Sequence, residues 1–370
     1  MVELPSLVAP SVSAARHGIR TAVAGVGGYA GGELARLLLA HPRLANSAPL
    51  FLGRSTHEAE TPLEQLHPQL ARGSAQPLPP VHPFHWDLIE QREIDLIFLA
   101  LPHETSRELA PLFLARGIKV IDLSGAWRLH DSTNSAVYAL QHIDNAADPA
   151  LAVTLQAKAI YGAPELHRNS IRNARLVANP GCYATSIILA LAPLLAAGLV
   201  NVQHGIICDS KSGVSGAGKS PSANTHFMHA ADNLSAYSVF GHRHTGELLE
   251  QLHLTSDQIQ FTPHLLPIPR GILSTIYLRL KQPTQPTDVQ ACLQNFYATS
   301  PMVRIHQHPS LPQIQHVVRT GYCDIGFALA PDGQRLVLIS CLDNLLKGAS
   351  SQAIQNMNLM CDWAEQEGLV

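Results

Sequence analysis

Charge is scarce in this chain. Of its 370 residues only 14% are Asp, Glu, Lys or Arg, and the two signs nearly cancel to leave −3 with histidine neutral. That balance gives no basic footprint for nucleic acid and no reason to expect an acidic membrane as partner. A long hydrophobic run is missing too. The longest apolar stretch, Ile187 to Val200, contains Pro193 and is too short to span a bilayer comfortably. The first eighteen residues have no basic start followed by a hydrophobic block, so they read as a loose extension rather than a secretory signal. Among 20 histidines and six cysteines there is no HExxH and no CxxC, so no metal site is expected. The cysteines, at 182, 208, 292, 323, 341 and 361, are too dispersed for a disulfide framework and suit a reducing cytoplasm.

What is present is 46% apolar residue content, enough for about two domains of a compact soluble enzyme. Ile19 to Ala24 reads as a buried strand, followed by glycines at 25, 27, 28, 31 and 32 and then a helix over Glu33–Ala40. Further strands are expected at Pro49–Leu52, Ile94–Leu101 and Ile118–Leu123, with a helix from about Pro102 to Arg116 between the last two. Alternating strands and helices with short turns predict an α/β, Rossmann-type doubly wound parallel sheet. Residues 56–85 read as surface loops and 130–160 as an insertion. Beyond Cys182 the pattern changes. Strands at Gly205–Ser210, Gln260–Leu266, Thr275–Leu280 and Leu336–Cys341, with long connections, predict an α+β catalytic domain with a largely antiparallel sheet. Asn344 to Glu367 reads as one long helix returning to the first domain. The expected division is 1–181, completed by 342–370, for the dinucleotide, and 182–341 for catalysis and oligomerisation.

Three constellations carry chemistry. Gly25, Gly27, Gly28, Tyr29, Ala30 and Gly31 form a turn between a strand and a helix, where glycines admit a pyrophosphate and the helix N-terminus meets its charge. At the end of the second strand, Arg54 and Ser55 stand where an NAD site places a carboxylate, which favours the 2′-phosphate of NADP over an ordinary surface arginine. Cys182 follows Asn179-Pro180-Gly181 and opens an apolar run, which would put a thiol at a helix N-terminus, where the dipole favours thiolate. Alternatively it is a small buried residue. In Gly241-His242-Arg243-His244-Thr245-Gly246-Glu247, one imidazole can act as acid–base beside a thiolate, and Arg243 or Arg270 can hold a carboxylate or phosphate. Two histidines so close are equally a metal pair or plain surface.

Gly213 to Ser220 matches the P-loop pattern GxxxxGK[ST] in full, so an NTP-binding enzyme is a rival. Pro221 opposes it. A residue before proline is pushed out of the helical region at the point where a P-loop helix begins. The other reading is a Gly-Ser loop at a catalytic centre, with Lys219 available to a substrate anion.

Taken in order, GVGGYAGGEL at 25–34, LPHETS at 101–106, DLSGAWRL at 122–129, YGAPEL at 161–166, NPGCYAT at 179–185, SGVSGAGKS at 212–220, GHRHTGEL at 241–248, PRGI at 269–272 and DNLLKGASSQAIQNMN at 343–358 resemble the N-acetyl-γ-glutamyl-phosphate reductases, relatives of aspartate-semialdehyde dehydrogenase. The resemblance implies Cys182 as nucleophile with His242 or His244 as acid–base, acting through a thioester on a small acyl-phosphate substrate. It implies NADP at the glycine turn and Arg54-Ser55, with Pro102, Ser215, Gly216 and Asn344 around it. Arg128, Ser212, Lys219, Arg243 and Glu247 would meet the substrate, and the protein would be a homo-oligomer, tetramer or dimer. Related reductases of aspartyl or carrier-bound aminoadipyl phosphate share the chemistry. The chain departs from the family at Trp127, where Phe is usual, at Gly246, where proline is usual, and in the length of 130–160.

Overall fold

The computed structural model describes residues 18–53, 59–71, 77–140, 142–143 and 149–370. Arg54 and Ser55 lie outside them. Two seven-stranded sheets organise the chain.

The first contains β1 (Thr21–Ala24), β2 (Leu50–Leu52), β3 (Val81–His82), β4 (Leu96–Leu99), β5 (Lys119–Asp122), β6 (Ile160–Tyr161) and β7 (Leu176–Ala178). Their order is β3-β2-β1-β4-β5-β7-β6 and every pairing is parallel. The continuous apolar runs have the reason expected of them, because β1, β2 and β4 are buried on both faces. On one face Val23, Phe51 and Phe98 pack with Leu34 and Leu38 of helix Tyr29–Ala40 and with Ile354 and Met357. On the other, Ala22, Ile97 and Val120 pack with Ala110 and Phe113 of helix His103–Ala115 and with Leu155. The strand order reverses direction between β1 and β4. Their carboxyl ends deliver Gly25 and the Ala100–Pro102 segment to one crevice, where doubly wound sheets bind ligands.

The second sheet contains β8 (Ile206–Gly213), β9 (Ser235–Ala236), β10 (Ile259–Leu266), β11 (Ile272–Arg279), β12 (Val303–Ile305), β13 (Cys323–Leu329) and β14 (Arg335–Leu342), ordered β12-β13-β14-β11-β8-β10-β9. Pairs β8–β10 and β12–β13 are parallel and the others antiparallel, so the sheet is largely antiparallel as expected. Helix Cys182–Ala196 lies on one face and is buried almost all round. Its Ser186 hydroxyl is met by Ser274 at 2.9 Å and Ser340 at 3.1 Å, while Ser210 bonds Ser274 at 2.7 Å. This chain of hydroxyls satisfies groups that would otherwise be buried without partners.

Two expectations are corrected, for 56–85 and for the tail, and a third region gains detail. Residues 59–71 and 77–85 are not featureless. They include helix Leu63–Leu66 and β3, and His67 is buried with its Nε2 on the Val26 carbonyl at 2.7 Å. The insertion contains helix Pro149–Lys158, which covers the first sheet. The tail is not one helix to Glu367. A π-turn at Leu346–Ser350 precedes an α-helix over Ser351–Met360, and turns follow. Many of the tail's polar residues are buried because they are paired. Lys347 Nζ reaches Glu165 and Gln355, both at 2.6 Å, and Asn356 Nδ2 reaches the Gly162 carbonyl at 2.9 Å. Such residues blur the apolar stripe from which a helix boundary is read.

Candidate active site

The glycine turn is built for close approach. Gly25 has φ +88°, and a Cβ there would lie 2.3 Å from the Ala100 carbonyl oxygen. At Gly31 a Cβ would lie 2.3 Å from the Gly25 oxygen, so only glycine lets the helix sit so tightly on its strand. Gly27 has open space, and Gly28 caps helix Tyr29–Ala40 without a side-chain hydrogen bond, leaving the first N–H groups for a ligand. A pocket of about 480 Å³ adjoins the turn, lined by Tyr29, Ser215, Lys219 and Arg270 among others. These residues fit a dinucleotide pyrophosphate. Lys219 also bridges to the turn, donating to the Gly27 carbonyl at 3.2 Å.

The P-loop rival fails on geometry. Val214–Ala217 is a short 3-10 turn, Gly218 has φ +86°, and residues 221–222 after Ser220 are irregular, followed only by a 3-10 turn at Ala223–Thr225 and a single helical turn at Phe227–Ala230, where a P-loop needs a helix running on from its lysine. The loop is fastened to the tail instead. Asn344 is buried, donates to Ser215 Oγ at 2.9 Å and accepts from the Gly271 N–H at 2.8 Å. Gly216 lies against Ser212 and Asn344.

Cys182 is the first residue of helix Cys182–Ala196, with Gly181 as N-cap, and its side chain is half-buried. A Cβ on Gly348 would be 2.7 Å from Cys182 Cβ, so the π-turn of the tail backs the thiol. A Cβ on Gly181 would lie 2.4 Å from Nε2 of His244, which places that imidazole against the turn that presents the thiol. His242 lies one ring away, centroids 4.6 Å apart, among Tyr183, Tyr237 and Phe261.

The two histidines differ. His242 Nδ1 already accepts the His244 N–H at 3.1 Å, and burial, reinforced by Arg243, lowers its pKa to about 4. The His244 side chain is 16% exposed, its Nδ1 is buried without a partner, and its Nε2 is 4.0 Å from Glu247 Oε1. Burial, then the neighbouring His242 and arginines, holds its pKa well below the usual value, so at neutral pH it is an uncharged base.

The expected thiolate is not what the resting site favours. Burial pushes the Cys182 thiol up to about 11, against the lowering effect of the Tyr183 N–H and Arg128. Below that pH the thiol form dominates. Alkylation of Cys182 by iodoacetamide, followed by peptide mass spectrometry, is therefore expected to speed up about tenfold per pH unit from 7 to 9, since only thiolate reacts. A rate that levels off near pH 7 would show a low pKa.

Arg128 and Glu247 do not face open space. Glu247 is fully buried at the start of helix Thr245–Leu252, and it accepts from Arg128 Nη1 at 3.1 Å, Tyr161 Oη at 2.6 Å and the Gly181 N–H at 2.8 Å. Arg128 donates besides to the carbonyls of Asn179 and Leu123, each at 2.8 Å. Burial works against its charge, but Glu247 holds its pKa above the ordinary value. Both residues are spent on the turn that carries Cys182. Arg270 is committed as well, to Glu33 at 2.7 Å and Asp343 at 3.0 Å. Arg243 is exposed and meets His103. Sequence reasoning missed His103 and Tyr161, although both sit inside motifs, LPHETS and YGAPEL, that were already singled out.

The departures from the family pattern pack together. A Cβ on Gly246 would lie 2.9 Å from Leu129 and 3.1 Å from Asn134, so glycine there admits the start of the insertion. Trp127 is buried beneath the Arg107 guanidinium, 3.9 Å from its ring. One potential ligand cluster was not foreseen. His306, His316 and Asp324 bring ligand atoms within 4.8 Å of one another, but Arg304 occupies both Asp324 oxygens at 2.6 and 3.0 Å and neutralises the carboxylate.

Comparison with known proteins agrees with this arrangement. Residues 20–174 match the family model for a semialdehyde dehydrogenase NAD binding domain, and residues 182–344 match that for a semialdehyde dehydrogenase dimerisation domain. Among solved structures, aspartate semialdehyde dehydrogenase II from Vibrio cholerae has the same fold, with a TM-score of 0.66 at 17% identity over 94% of this chain and 99% of that one. N-acetyl-gamma-glutamyl-phosphate reductases from Desulfotalea psychrophila and Geobacter sulfurreducens are 43% and 41% identical, each match covering 95% of this chain and 98% of the relative. Identity of that depth along nearly the full length of both partners places the chain in the N-acetyl-gamma-glutamyl-phosphate reductase family.

Proposed function

We infer that the chain reduces N-acetyl-γ-glutamyl phosphate to N-acetylglutamate 5-semialdehyde, releasing phosphate, with NADPH as cofactor, as a step of arginine biosynthesis. The observation that carries the mechanism is the thiol of Cys182 at a helix start, with His244 against the preceding glycine. The glycine turn, Tyr29 and Ala30 hold the cofactor, with Pro102, Ser215, Gly216 and Asn344 around it. The cofactor domain is 1–181 completed by 342–370, and 182–341 is the catalytic domain.

Cys182 Sγ attacks the acyl carbonyl carbon as its proton passes to the His244 imidazole, the C–O bond to phosphate breaks, and a thioester remains. Both groups are neutral at rest, so proton transfer accompanies attack rather than preceding it. The chemistry NADPH supplies when bound is a hydride to the thioester carbon. His244, now protonated, gives its proton to the carbonyl oxygen as the thiohemiacetal forms. Collapse returns the hydroxyl proton through His244 to Sγ, breaks the C–S bond and frees the aldehyde and the thiol. Glu247, 4.0 Å from His244 Nε2, stabilises the imidazolium while it lasts.

The test is NADP reduction followed by absorbance with N-acetylglutamate semialdehyde and phosphate, run beside aspartate semialdehyde. A preference for the aspartyl compound would reassign the substrate. In the same assay His244→Asn is expected to lose about a hundredfold or more in kcat and His242→Asn much less. The reverse ranking would make His242 the acid–base.

No helix among the described residues is long and apolar enough to cross a membrane, and all six cysteines are free, in keeping with a cytoplasmic enzyme. Self-association uses the outer face of the second sheet, where Ile207, Tyr277, Val337 and Ala328 lie side by side across β8, β11, β14 and β13, with Ile207 and Tyr277 nearly half exposed. Sedimentation of Tyr277→Glu should show smaller species than the native protein. Unchanged sedimentation would point to another face.

A further inference from the structure

Arg243 has an unusual set of neighbours. Among the described residues no carboxylate pairs with it. Its guanidinium lies 5.9 Å from the Tyr138 ring centroid, and its Nη1 meets Nε2 of His103. His103 is the first residue of helix His103–Ala115, whose N-cap, Pro102, offers no side-chain hydrogen bond. Its Nδ1 accepts the Gly125 N–H at 2.8 Å. A ring nitrogen that accepts a hydrogen bond carries no proton, so the proton of the neutral ring sits on Nε2. The ring is neutral at pH 7, since burial, and next Arg243, lowers its pKa to about 4. The Nε2–H therefore points at a guanidinium that can only donate. Two donors converge with no acceptor between them, at the N-terminal end of a 13-residue helix. Tyr138 fixes the spot from the other side. Its ring packs 4.8 Å from that of His103, and it fills the space a Cβ on Gly125 would need.

We propose that Arg243 and His103 form an oxyanion receptor, in which one oxygen of a substrate carboxylate or phosphoryl group accepts from Arg243 Nη1 and His103 Nε2 together. The proposal rests on the acyl-phosphate reductase reading and adds to it the anchor that orients the substrate over Cys182. When the exposed Arg243 side chain moves back to admit an oxygen, a repulsive contact gives way to two charge-assisted hydrogen bonds. The neutrality of His103 is useful here, because a protonated ring would give up the Gly125 bond that aims it.

The test uses conservative variants in the NADP-reduction assay, with N-acetylglutamate semialdehyde and inorganic phosphate varied separately. Asparagine at 103 can keep the acceptor for Gly125 but not the distal donor, whereas glutamine can keep the distal donor. Arg243→Gln and His103→Asn are each expected to raise KM for one of the two substrates about ten- to a hundredfold, with kcat changed far less. His103→Gln should recover much of the loss. A rise confined to phosphate identifies the phosphoryl group as the anion, and a rise confined to the aldehyde identifies the carboxylate. Values of KM within twofold of wild type for both substrates, or His103→Asn equal to wild type, would overturn the receptor. If the native protein shows no turnover with these substrates, the proposed activity fails separately. The receptor is then tested by calorimetric titration with inorganic phosphate and with glutarate. Binding lost in Arg243→Gln supports it, and no binding of either anion to the native protein rejects it.

Discussion

Replacing Cys182 by alanine is expected to lower phosphate-dependent NADP reduction by about 10⁴-fold or more, the scale on which enzymes lose a covalent nucleophile. The substitution removes only Sγ. The contact with Gly348 is made by Cys182 Cβ and Cα, which alanine keeps, and the backbone turn is held by Gly181 and Glu247 rather than by the thiol. The variant should therefore fold, and its circular dichroism and NADPH binding should match the native protein. No other group near the turn can take over. Cys208, Cys323 and Cys341 are buried, with their pKa values driven up by burial, and they sit within the second sheet. An alanine variant within about tenfold of native turnover would mean that hydride transfer needs no thioester.

Loss of Glu247 strikes the fold instead. Glu247→Ala leaves the buried Arg128 guanidinium without its counter-charge, and the Tyr161 hydroxyl and Gly181 N–H without their acceptor. Breaking one side of a buried pair costs about 3–5 kcal/mol, most of it for the stranded charge. The thermal midpoint should fall markedly at fixed pH and protein concentration. Glu247→Gln separates charge from shape. It can still accept from Tyr161 and Gly181 but cannot neutralise Arg128, so it should lie between the two. Pairing Glu247→Ala with Arg128→Met should restore part of the loss, because the charge goes with its partner. A single alanine variant as stable as the native protein would show that Arg128 is solvated.

Much of the architecture was legible because local signals agreed with one another. The run Ile94–Leu101 is apolar on both faces, and the strand Leu96–Leu99 it produces is buried on both. Pro221 argued against a P-loop, and the two residues after Ser220 are indeed irregular rather than the start of a long helix. What escaped depended on pairings between distant residues. Strand Cys323–Leu329 follows a long irregular segment, and its alternation is broken by the buried Asp324, which is legible only once Arg304 and His306 are beside it. Arg128 and Glu247 look like substrate ligands by residue type, and only their 119-residue separation closing to one contact shows that they hold each other. The raised thiol has the same origin. A helix start favours thiolate, but how much of the residue is enclosed depends on Gly348 and the imidazoles from elsewhere in the chain.

Helix Ser351–Met360 contributes Ala353, Ile354 and Met357 to the core beneath β1, β2 and β4, and Ser350 bonds the Ala30 carbonyl next to the glycine turn. Those strands leave the ribosome long before the helix does. At about 5–20 residues per second, the nascent first sheet waits on the order of ten seconds or more with one apolar face covered only in part, by helix Tyr29–Ala40. During synthesis this enzyme is therefore most exposed to chaperones and to aggregation in the half it makes first, and truncation near residue 345 should yield a client rather than a working cofactor domain.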